Sequence, residues 1–150
     1  MLTIEQERTQ PIEIDVGQIV RALTFTANGE YFVTGDMKGV GVWRVKDGKQ
    51  VARKETRDWA LSLAASKNSK WIAAGTRREL LVWNAESYEQ ALKHEEGNDV
   101  NSVDFSPDST RLVAGTDLRG AIVWDLATGK QVQALHHQHD VIAMKYSSDV

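Results

Sequence analysis

The chain has 150 residues, 41% of them hydrophobic and 26% charged, with a formal net charge of −3. That length suits one domain of ordinary size, and the charge predicts no bulk attraction to nucleic acid or to an anionic membrane. Cysteine is absent, which excludes disulfides, thiolate catalysis and Cys-ligated zinc or iron–sulfur centres.

Residues 1–10 form a leader without the apolar core of a secretory signal. No apolar run anywhere approaches the roughly 18–20 residues of a membrane-spanning helix. The expected location is therefore intracellular, cytoplasmic or nuclear. "VRALTFTANGE", from Val20, reads as a strand and a turn. In it Leu23 and Phe25 flank Thr24, so one strand face is predicted to be apolar. "YFVTGDMKGVGVWRV", from Tyr31, reads as two strands around a turn, because β-branched and aromatic residues favour the pleat. "DGKQVARKE", from Asp47, supplies another turn and a fourth strand.

The next elements repeat the first set. "ALSLAASKNSK" starts at Ala60, "WIAAGTRRELLVWNA" at Trp71 and "ESYEQALKH" at Glu86. "VNSVDFSPDST" starts at Val100, "RLVAGTDLRGAIVWDL" at Arg111 and "TGKQVQAL" at Thr128. "VIAMKYSSDV", from Val141, begins the pattern once more. The units run over about 17–56, 57–96 and 97–138, with the start of a fourth at 139–150. Gly35, Gly75 and Gly115 stand 40 residues apart. Trp43, Trp83 and Trp124 stand 40 and 41 apart, the extra residue falling in the third Gly-to-Trp turn. No segment carries a sustained 3.6-residue apolar stripe, so each unit reads as a four-stranded antiparallel sheet.

A period near 40 residues, with four strands per unit and a closing Trp124-Asp125, resembles the WD40 repeat. The resemblance covers Gly17 to Val150. It implies an all-β fold of propeller blades arranged around a channel, over residues 11–150. "PIEIDV" would then be the outer strand of a neighbouring blade. The sequence also departs from the family. Trp43 is followed by Arg44 and Trp83 by Asn84. The Gly-His pair before each first strand is missing, with Glu96-Gly97 and "HHQHD" nearest to its place. Where the family often carries an Asp bonded to that His, this chain has Lys38, Arg78 and Leu118 or Arg119. The His-to-Asp half of the buried network is not expected to form. Rigidity is expected from packing rather than polar networks, with the three tryptophans as the main anchors.

Three units and one extra strand do not close a ring, since propellers typically have about 4–8 blades. A fragment of a larger propeller, a ring completed by another chain, such as a second copy, and a deliberate truncation are the competing accounts, and the fragment is favoured. An open array would expose apolar faces and unpaired edges.

The family resemblance implies a non-catalytic scaffold for protein or peptide partners, with no cofactor. A segment of the sensor propeller of a multidomain signalling receptor is an alternative setting. The tips "DMKG", "TRRE" and "DLRG" place Lys38, Arg78 and Arg119 in corresponding positions, near the turns that lead into the first strands. Trp59 lies in such a turn, is not required by strand alternation and is expected to be exposed. Trp59, Arg57, Arg77, Arg78, Lys38 and Arg119 are therefore the candidate partner-binding residues, because Trp and Arg dominate interface hot spots. Such a face suits an acidic or phosphorylated segment. The competing and plainer reading is that these tips are merely solvated.

"HHQHD" offers His136, His137, His139 and Asp140, and a metal or enzymatic site built on them is the alternative from another class. Neighbouring side chains of an extended segment point apart, which favours no metal there. The glycines of "GDMKGVG" read as hairpin-turn glycines, with no dinucleotide fingerprint since no helix follows. "RVKDGKQVARKETR", Arg44 to Arg57, carries six basic residues and falls on an outer strand, where charge protects a sheet edge. Nucleic acid is not an expected partner, since no aromatics interleave that run. No Ser–His–Asp pattern, carboxylate pair or phosphate loop stands out.

Overall fold

The computed structural model describes residues 13–148, in which twelve strands form three separate sheets. The first sheet holds β1 (Ala22–Phe25), β2 (Tyr31–Gly35), β3 (Gly39–Arg44) and β4 (Gln50–Glu55). The second holds β5 (Ala60–Ala65), β6 (Trp71–Thr76), β7 (Glu79–Asn84) and β8 (Gln90–Glu95). The third holds β9 (Val100–Phe105), β10 (Arg111–Thr116), β11 (Gly120–Asp125) and β12 (Lys130–Leu135). Within each sheet, strands adjacent in sequence pair antiparallel. The described residues contain no helix, and the three sheets do not close into a ring.

Local chemistry repeats with the strands. The β1–β2 turn is fixed by the Thr26 hydroxyl donating to Asn28, and Ser66–Asn68 and Ser106–Asp108 do the same in the next two sheets. Short polar side chains satisfy turn backbone that a strand ladder cannot reach.

The inner strand β5 packs against both β1 and β9, so the sheets stack side by side along their first strands. The repeat glycines explain how closely. A Cβ on Gly35 would lie 3.0 Å from the Cβ of Ala60, and one on Gly75 would lie 2.5 Å from the carbonyl oxygen of Val100. On Gly115 it would meet Val141 Cγ1 at 2.8 Å. Each repeat glycine therefore marks where the next unit's first strand crosses. This corrects the turn reading of "GDMKGVG". Gly35 and Gly41 lie inside strands, and only Gly39, at φ +150°, has turn-type backbone.

Between the first two sheets Val33, Val40 and Ile72 are buried; between the second and third, Leu80, Val100, Leu112 and Ile122. Trp43, Trp83 and Trp124 are all buried, as anchors should be. One apolar face is left open, as expected of an open array. Phe105 is 6% exposed, whereas Phe25, its equivalent in the first sheet, is 56% exposed and Leu23 is 55% exposed. The physical cause is neighbourhood: β5 and β9 each have a preceding sheet to pack against, and β1 has none among the described residues.

Residues 141–146 occupy the place of a fourth first strand without forming one. The Val141 amide donates to Thr116, the Met144 amide to Ser102 Oγ at 2.9 Å and the Tyr146 amide to Asp104 Oδ2 at 2.7 Å. Met144 and Tyr146 cover Val113, Ala121 and Val123. The segment lacks a ladder partner, so its backbone bonds go mainly to side chains. The leader and Pro11-Ile12 lie outside the described residues, and residues 13–16 of the expected outer strand are irregular.

Candidate functional site

Backbone hydrogen bonds gather the β2–β3, β6–β7 and β10–β11 tips and the lead-in turns on one rim. The Thr56 amide donates to the Lys38 carbonyl at 3.1 Å, and the Ala60 amide to that of Asp36 at 3.0 Å. Forty residues on, the Glu96 amide donates to Arg78, and the Asp117 amide bonds the Asp99 carbonyl.

Trp59 is half-buried rather than exposed, because two guanidinium groups cover it. The Cζ of Arg21 lies 4.5 Å from its ring centre and that of Arg77 5.7 Å. Such cation–π contacts contribute roughly 0.5–1 kcal/mol each at exposed sites. Arg21 escapes a sequence reading because it precedes β1 and meets Trp59 only when the first two sheets stack.

The other candidates are distributed as follows. Arg57 is exposed and lies 3.9 Å from Glu95. Arg78 lies 4.0 Å from Asp58. Arg119 donates to the buried carboxylate of Glu96 at 3.2 Å. Lys38 is exposed and makes no ion pair among the described residues. The Arg119–Glu96 contact sits where the family resemblance implies Asp and His, so this clasp has its charges reversed. Burial holds the Glu96 carboxyl above the usual carboxylate range, against the opposing pull of His94 and Arg119.

A polar network also braces the first sheet, which corrects the expectation that packing alone does so. Asp36 is 1% exposed and receives two bonds from Arg53 of β4, at 2.7 and 2.8 Å. Burial would raise its pKa, but the Arg53 bonds and the Lys38 amide together hold it below the ordinary value. Trp43 Nε1–H donates to Thr34 Oγ1 at 2.9 Å. The sequence comparison missed this network because the acid stands two residues before Lys38 and its partner comes from the outer strand. In the third sheet Ala114 replaces Thr34, and the buried Trp124 Nε1 has no acceptor. Its ring instead packs against His94, with centres 4.3 Å apart.

Beside the rim cations lies an open cleft whose lining includes Asp58, Arg77, Arg78, Asp99, Asp117 and Asp140. His136, His137 and His139 are exposed on the segment after β12, and among the described residues no three His, Asp or Glu side chains converge. No described helix is long and apolar enough to cross a membrane.

The family described as "WD domain, G-beta repeat" matches residues 88–125. The serine-threonine kinase receptor-associated protein of Dictyostelium discoideum is 23% identical over 111 residues, covering 73% of this chain and 38% of its own length. The WD repeat-containing protein WDS homolog of Arabidopsis thaliana is 28% identical over 123 residues, covering 73% of this chain and 23% of its own length. The chain thus spans well under half of these curated relatives. The crystal structure of the RRP9 WD40 repeats superimposes with a TM-score of 0.81 at 21% identity, covering 86% of this chain and 42% of that one. The chain thus matches the WD40 repeat over residues 88–125, and its 40-residue period and three four-stranded sheets have the fold of WD40 β-propeller blades.

Proposed function

We propose that the chain is a non-catalytic scaffold whose rim binds an acidic or phosphorylated protein segment. The observation that carries this reading is the stacking of Arg21 and Arg77 on Trp59, at the rim whose turns also carry the other candidate cations. Arg57, Arg77 and Arg78 belong to the second repeat unit, with Arg21 and Lys38 from the first and Arg119 from the third. WD40-repeat proteins typically serve as protein-interaction scaffolds, which supports it. Titration calorimetry with a glutamate-rich peptide tests it. Binding is expected to weaken steeply with salt and to be lost when Arg57, Arg77 and Arg78 are changed to Ser. Binding that ignores both would overturn the reading.

A second reading concerns the free face of β1. Its exposed Leu23 and Phe25 are equivalent to Val103 and Phe105, which are buried between blades. This face is proposed to take a further blade, either from the remainder of a larger ring or from a second copy of this chain. Sedimentation of the chain separates the two: a discrete dimer supports the second copy.

A further inference from the structure

We propose that the opposite rim carries a second site, a cleft between the first and second blades that takes the ammonium of a lysine side chain on a partner protein. Its walls include Glu30 and Tyr31 from the first blade and Glu86 and Tyr88 from the second, around a void of about 330 Å³. Tyr31 begins β2, whose other end carries the Lys38 tip, and Tyr88 lies in the β7–β8 turn, at the end of β7 away from the Arg78 tip. The site is therefore independent of the reading given to the first rim. Three observations carry it.

The first is the backbone of Tyr88. Its amide donates to the Asn84 carbonyl as those of Gly48 and Gly129 donate to Arg44 and Asp125, so the three residues hold one turn position. All three are left-handed, with Gly48 at φ +67°, Tyr88 at +57° and Gly129 at +66°. Glycine adopts that backbone without steric cost, whereas a bulky side chain is strained in it. The turn does not need the ring, since the other two units form it with glycine. Strain of this kind collects where a side chain is held for use. The second observation is the pairing of the phenols. Tyr31 and Tyr88 are both half-buried against the cluster of Val33, Ile72 and Trp83. Burial, and then the Tyr31 phenol, hold the Tyr88 hydroxyl above the usual tyrosine range, so the two phenols stand close together.

The third is charge. Among the described residues the walls of the cleft hold two carboxylates and no cation. Neither Glu30 nor Glu86 makes an ion pair among the described residues. Glu30 accepts a bond from Asn28 Nδ2 at 3.3 Å. Arg44 and Lys46 line an adjoining cleft that shares Glu30 and Tyr31, and Arg44 is bound there to Asp47. They steer a cation towards the Glu86 and Tyr88 side. An ammonium has three donors, which two carboxylates and a phenol oxygen can accept in full, whereas a guanidinium has five. The faces of the two rings attract the same positive charge.

The probes are short peptides of one sequence, bearing lysine, acetyl-lysine or arginine at the central position, and free putrescine. Tyrosine ring NMR resonances report this site, and the Trp59 indole reports the other rim. The lysine peptide is expected to shift Tyr31 and Tyr88, to leave Trp59 unmoved and to bind at least about five-fold tighter than the acetyl-lysine peptide. Tyr88→Gly installs the residue the other two units use in this turn and should remove that preference. The double variant Glu30→Gln, Glu86→Gln, at two exposed positions, should also remove it with the circular dichroism unchanged. Equal binding of the lysine and acetyl-lysine peptides, shifts confined to the Trp59 rim, or no shift at all would overturn the site. A preference that survives the double variant would overturn the role of the carboxylates. Tighter binding of the arginine peptide at the same tyrosines would overturn the choice of lysine, and tighter binding of putrescine would overturn the assignment to a protein partner.

Discussion

Ala114 and Thr34 hold equivalent positions in two blades, yet only Thr34 gives its tryptophan an acceptor. A buried donor without a partner is costly, typically about 1–3 kcal/mol. Ala114→Thr is predicted to offer Trp124 Nε1 the missing hydroxyl and to raise stability by about 0.5–1.5 kcal/mol, measured by denaturant unfolding. Destabilisation would show that the site has no room for the two added atoms. Glu96 gives a pH-dependent case. Its folded pKa is raised, so its favourable contribution is full at low pH and is lost as pH rises from the ordinary carboxylate range through the folded value. Asp36 has the opposite sign: its folded pKa is lowered, and its contribution is lost as pH falls through that value. Glu96→Gln keeps an acceptor for Arg119 and removes the buried charge. Its melting temperature should exceed the parent's at neutral pH, and the gap should shrink near about pH 4. A gap that widens on acidification would contradict the burial argument.

At the scale of elements, the repeat glycines and tryptophans behave as packing points. Gly75→Ala would drive a Cβ towards the backbone of β9, which cannot yield without moving the blade. It should cost about 1–3 kcal/mol. Gly115→Ala faces the side chains of Val141 and Met144, which can turn away, and should cost less. Thermal unfolding of both variants compares them directly. Trp83→Ala should cost about 3–5 kcal/mol, and a fully stable variant would contradict its place in the core. These elements were legible in the sequence because identical structural demands recur every 40 residues, so Gly35, Gly75 and Gly115 line up by inspection. The Asp36–Arg53 bond was not legible. It joins residues 17 apart on different elements, and no period points to it. Arg21 was hidden for the same reason, since its contact with Trp59 spans two blades. The apolar face of Leu23 and Phe25 was legible from alternation, and its exposure follows from the open array, since β1 has no preceding sheet among the described residues.

For the whole molecule, stacking of the blades does two things. It buries the faces between sheets, and it brings turns from successive repeats into one rim, where Arg21 and Arg77 stack on Trp59 and Arg77 and Arg78 line a cleft with Asp58, Asp99, Asp117 and Asp140. The same stacking leaves the β1 face open. Replacing Leu23 and Phe25 with Lys should reduce any self-association seen by sedimentation while leaving the melting temperature nearly unchanged, because neither side chain is buried in the chain itself. A large fall in stability would show that these residues already pack within the molecule. The claim that joins fold to function is that the rim binds a partner without also holding the blades together. It is tested most directly by measuring the Trp59→Ala, Arg78→Ala double variant for acidic-peptide affinity and circular dichroism side by side. The expected result is an unchanged spectrum with binding strongly weakened; an unfolded variant, or one that binds as tightly as the parent, would contradict it.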